Sequence, residues 1–117
     1  MKNFLAGFLG TPDAMDAYMA LPEAERKERQ QLGMQAWMAW MNTYKASITY
    51  DGSPLGKTKK VDKTGISDVR NEMGAFVVVK AESADDAAKM FLEHPHFMIF
   101  PGDRVEVMET LPIPSLS

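Results

Sequence analysis

The sequence contains no cysteine, which removes disulfide scaffolds, thiolate zinc sites and cysteine nucleophiles together. That absence fits a reducing compartment, and a cytoplasmic location is the expectation. Histidine is scarce as well. His94 and His96 are the only two among 117 residues, so any imidazole chemistry has to come from one short segment. A cationic excess is lacking: the formal charge of −3 and pI near 5.3 give no broad attraction to nucleic acid or anionic lipid. Long apolar runs are missing too. Residues 4–9 are apolar but soon meet Thr11-Pro12-Asp13, which suits a strand better than a signal peptide, and charges interrupt every later candidate for a bilayer span. Walker loop, dinucleotide fingerprint, GxSxG elbow and HExxH helix are all absent, which leaves nucleotide-dependent and classical hydrolase mechanisms without support and no cofactor expected. The chain reads as one soluble domain over residues 1–117.

What is present has a clear order. Residues 2–9 suit a buried strand. Thr11-Pro12-Asp13 then supplies a helix N-cap, a proline at the first helical position and an acid at the positive helix end, after which Ala14, Met15, Tyr18 and Met19 share one face. A second helical run opens at Pro22-Glu23. Its first half, residues 25–31, is wholly polar, while Trp37, Trp40, Met41 and Tyr44 recur at spacings of three and four in its second half. Gly33 lies between the halves, where it lowers helix propensity by about 1 kcal/mol relative to alanine and allows a bend. Ser47-Ile48-Thr49-Tyr50 reads as a strand ending in the turn signal Asp51-Gly52-Ser53-Pro54. Residues 57–61 and 66–69 flank Asp62-Lys63-Thr64-Gly65 as a polar, mobile hairpin, whose Lys57, Lys59, Lys60 and Lys63 lack the interleaved aromatics of a nucleic-acid site.

Gly74-Ala75-Phe76-Val77-Val78-Val79-Lys80-Ala81 is the strongest strand signal and belongs near the sheet centre. Ser83 caps a helix whose stripe is Ala84, Ala87, Ala88, Phe91 and Leu92, and Pro95 stops it. Arg104-Val105-Glu106-Val107-Met108-Glu109 alternates as a half-exposed strand, and the proline-bearing tail 111–114 lies extended. The order contains β-α-β-β-α-β, an α+β ferredoxin-like sandwich with both helices on one sheet face. The opposite face is then apolar and uncovered, so a second copy is expected to cover it, the two sheets stacking as a dimeric α+β barrel.

Asp51-Gly52-Ser53-Pro54-Leu55, the strand 74–81, His94-Pro95-His96-Phe97 and Val105-Glu106-Val107-Met108-Glu109 together resemble the YCII-related family, including its DGPF-type members. The resemblance covers roughly the second two thirds of the chain. It implies a homodimeric α+β barrel with a small-molecule cleft. Most members have no established function, and at least one is a dehydrochlorinase acting on a hydroxylated aromatic ring. Members near the founding protein carry a histidine in the first helical region and an aspartate after the second helix. Here Trp37 and Trp40 stand in the first region and His94-Pro95-His96 in the second, so that dyad does not transfer residue by residue.

The candidates for chemistry each have a plainer reading. Neutral imidazoles at His94 and His96 can move protons, provided the backbone between them is extended so that both point one way; otherwise they belong to a rigid helix-to-strand connection. Two histidines alone do not make a metal site, and none is expected. Trp37, Trp40 and Tyr44 can wall an aromatic substrate pocket or simply fill the core. Asp51 can present a carboxylate to that pocket or serve its turn. Two functions therefore stand side by side: cofactor-independent acid–base chemistry of a lyase or isomerase kind, and a non-catalytic ligand-binding or regulatory module.

Overall fold

A computed structural model describes residues 1–114. Eight-residue strand β1 (Lys2–Leu9) leads into α1 (Pro12–Met19) and the long α2 (Glu23–Thr43), followed by β2 (Ile48–Pro54), the hairpin strands β3 (Thr58–Asp62) and β4 (Gly65–Val69), β5 (Met73–Ala81), α3 (Ala84–Lys89), α4 (Pro95–Met98) and β6 (Arg104–Glu109). The main sheet has the order β2-β5-β1-β6, antiparallel throughout. With the β3–β4 hairpin set aside as an insertion, this is the ferredoxin-like α+β sandwich the order of elements predicts. No helix among the described residues is long and apolar enough to cross a membrane.

Alternation along β1 and β5 divides the sheet into two faces. Phe4, Ala6 and Phe8 of β1 and Val77, Val79 and Ala81 of β5 point to the helices and form the core with Trp40, Ala87 and Phe91. No helix among the described residues covers the other face. Register places Tyr50, Val78, Leu5 and Met108 in one line across all four strands, with Phe76 in the next row stacked on Tyr50 at 5.9 Å. Tyr50 and Met108 are exposed there.

The helix starts match their local chemistry. Thr11 Oγ1 accepts from the Ala14 N–H at 3.1 Å, and Ser83 Oγ from the Asp86 N–H at 3.1 Å. Elsewhere the tertiary setting changes the outcome. α2 passes through Gly33 without a break; Gly33 is buried against the Phe100 ring, which leaves no room for a Cβ. Asp51-Gly52-Ser53-Pro54 does not end its strand. These residues lie inside β2, whose register slips twice against β5, and Gly52 takes φ +68° while pressed on the Phe76 carbonyl. α1 buries none of its residues, so the expected apolar face with Met15 and Met19 is open. α3 ends at Lys89, and of the last two residues in its expected stripe only Phe91 turns inward while Leu92 stays exposed. The tail 111–114 has no regular structure and is exposed; residues 115–117 lie outside the described part.

Candidate functional site

Two parts of the chain bring most of the candidate residues together. The first is the C-terminal half of α2. Its three- and four-residue spacing sets Trp37, Trp40 and Tyr44 on one side, Trp40 meeting the rings of Tyr44 at 5.1 Å and Phe91 at 5.0 Å in tilted contacts. The indole Nε1–H of Trp40 donates to the Met90 carbonyl at 2.8 Å, which fixes the ring against the end of α3.

The second part is the segment after α3. His94 is extended (φ −69°, ψ 144°) and is the N-cap of α4, with Pro95 at the first helical position. A helix here replaces the extended connection needed to point both imidazoles one way, because proline in the first turn favours a helix start as readily as it ends the preceding one. The His94 Nδ1 accepts the backbone N–H of His96 at 3.0 Å, so the ring proton of the neutral form resides on Nε2. That Nε2 is buried without a hydrogen-bond partner among the described residues. Aromatic rings surround the His94 imidazole, centroid to centroid: Trp37 at 4.4 Å and 88°, Trp40 at 4.6 Å and 67°, Phe8 at 4.7 Å and Phe91 at 6.0 Å. Burial, with a smaller push from His96, lowers the His94 pKa to about 3.

His96 points elsewhere. Its Nε2 lies 2.7 Å from the Leu9 carbonyl and 3.1 Å from the Arg104 carbonyl, two acceptors that place the proton on that nitrogen and tie α4 to the ends of β1 and β6. Burial lowers its pKa against the opposing pull of those carbonyls and Asp103. Gly102 lies flat on the imidazole, where any Cβ would overlap the ring.

An open cleft of about 380 Å³ adjoins this aromatic cluster, lined by Trp40, Thr43, Tyr44, Lys89, Met90, Leu92 and Glu93. Trp40 is the wall shared by cleft and cluster; neither histidine lines the cleft. Trp37 packs on Phe8 and His94 rather than on the cleft. Asp51 is exposed in the irregular stretch of β2 and is not brought to the cleft. Thr43, Lys89 and Glu93 are lining residues that the sequence did not single out for this role. The signal for Thr43 was its place three residues after Trp40, one helical turn along the same face. Among the described residues no group of three ligating side chains could hold a metal ion.

No protein-family model and no curated protein matches the chain. Its structure is similar to that of 5-chloro-2-hydroxyhydroquinone dehydrochlorinase from Burkholderia phenoliruptrix AC1100, solved as its complex with 2,5-dihydroxybenzoquinone. The TM-score is 0.53 and the identity 20%, over 90% of this chain and 89% of that one. At that identity the likeness establishes a shared fold.

Proposed function

We propose that the chain is a cytoplasmic, YCII-related homodimer whose function is to bind a small, flat, hydroxylated or carbonyl-bearing ring in the cleft beside Trp40 and Tyr44. One observation carries this reading: a wall of tilted indole and phenol rings, Trp40 and Tyr44, with Thr43, Lys89 and Glu93 around it. Flat apolar surface with a few polar groups is what such a ring requires, the lysine suiting a phenolate or quinone oxygen and the carboxylate a hydroxyl. The dehydrochlorinase of the same fold, held with a dihydroxybenzoquinone, makes that class the first to try. The dimer reading draws on the uncovered face of the sheet, where the line Tyr50, Val78, Leu5 and Met108 is apolar from edge to edge.

The experiment is a titration with 2,5-dihydroxybenzoquinone followed by the NMR shift of the Trp40 Nε1–H, whose acceptor Met90 also lines the cleft. A saturable shift is expected, weakened about tenfold in Tyr44→Ala by loss of one stacking face. If the indole signal stays fixed across the titration, this class of ligand is wrong.

The second reading is catalysis by a neutral imidazole, favoured by the Nε2–H of His94 just behind Trp40, which has no partner among the described residues and can polarise a carbonyl or hydroxyl oxygen by hydrogen bonding while a proton moves elsewhere on the ligand. A ligand oxygen entering the aromatic cluster would meet a neutral imidazole donor with no competing bond, and His96 would hold the segment in place as a positioning residue through Leu9 and Arg104. Turnover that survives His94→Asn unchanged would remove this reading while leaving the binding one intact.

A further inference from the structure

The β3–β4 hairpin is well formed but isolated. Asp62 Oδ1 accepts from the Thr64 N–H at 2.8 Å and the Thr64 hydroxyl at 2.6 Å, and Lys59 pairs with Asp68 across the strands. Its links to the body of its own chain run through its base, where Arg70 reaches Asp16 at 2.9 Å. A two-stranded hairpin gains little stability in water alone. Yet its end carries Val61 opposite Ile66, each 73% exposed, an apolar pair that nothing among the described residues covers. The radius of gyration, 16.3 Å, exceeds the roughly 13 Å of a compact chain this long, so part of the molecule projects.

Charge is distributed to match. Residues 57–70 carry Lys57, Lys59, Lys60, Lys63 and Arg70 against Asp62 and Asp68, a net of +3, which leaves −6 on the rest of the chain to make the whole −3. A cationic projection and an acidic body on one polypeptide attract each other between copies. Part of that acidity, Glu72, Asp103 and Glu106 gathered round Arg104, lies at the rim of the uncovered sheet face.

We propose that the hairpin 57–70 is an intersubunit arm, which seats Val61 and Ile66 on a second copy of this chain and holds its lysines against that copy's acidic surface. The proposal rests on the homodimer reading above and adds a contact distinct from the sheet face.

Sedimentation of the wild type, of Val61→Ser/Ile66→Ser and of Phe76→Glu over a dilution series tests it. A dimer in the wild type whose dissociation constant rises about tenfold or more in the hairpin variant supports the arm, since the burial of two aliphatic side chains at the interface is lost. A wild-type dimer left unchanged by the hairpin variant but dispersed by Phe76→Glu overturns the arm and keeps the sheet dimer. A monomeric wild type overturns both. A readout that does not depend on the folding of the serine variant is a photocrosslinking amino acid placed at Val61 in a mixture of isotope-light and isotope-heavy protein. Mixed-isotope crosslinks are the supporting result, and crosslinks confined to single chains are the contrary one.

Discussion

His94 is fully buried, and its pKa of about 3 has a direct consequence for acid stability. In the unfolded chain the imidazole titrates near 6.5. Above that pH both states are neutral and the group adds no pH dependence. As pH falls from about 6.5 toward about 3 the unfolded state takes up a proton that the fold refuses, so stability declines by up to about 1.4 kcal/mol per pH unit. His96, also lowered, acts in the same direction. His94→Asn retains a cap acceptor and cannot titrate. It should be less stable near neutrality by about 1–3 kcal/mol through lost ring packing, yet show a shallower decline in urea unfolding between neutral and acid pH. Gly102→Ala is a second residue-scale test. Its methyl group would displace the His96 imidazole, costing about 1–3 kcal/mol and loosening the ties to Leu9 and Arg104, which a thermal melt and the His96 ring shifts would report.

At the scale of elements, the features legible in the sequence were those decided within one turn of chain. Thr11 and Ser83 cap their helices through bonds to residues three positions on, and Ser83→Ala should lower stability by about 1 kcal/mol in chemical denaturation. The strand at the sheet centre was legible because a β-branched run does not depend on its partner to favour extension. What was not legible depends on contacts far along the chain. Gly52 with positive φ can close a turn or bulge a strand, and β5 alongside decides for the bulge. Gly33 can bend a helix or admit a ring, and Phe100 decides for the ring. The aromatic stripe of α2 announced Trp37, Trp40 and Tyr44, but not that the first two would enclose His94 while Tyr44 faced the cleft. Asp51 read first as a turn residue and only second as a site residue, and its place in β2 follows from neither local pattern.

Over the whole molecule, the dimensions of 57 × 44 × 18 Å describe a slab one sheet and one helix layer thick, with one sheet face that no helix among the described residues covers and that an apolar line crosses. Association through that face would tie folding to concentration, so the melting temperature of the wild type should rise on going from dilute to concentrated protein. Phe76→Glu, in the middle of the face, should abolish that dependence. A twofold axis through the line Tyr50, Val78, Leu5 and Met108 would also make each position face its own image or a neighbour's, so every substitution is felt twice. Such a surface cannot be repaired from one side: a charge that repels its image in the pure protein is neutralised only when molecules bearing the opposite charge are mixed in. Phe76→Glu and Phe76→Lys, each unable to pair with itself, should then pair with one another.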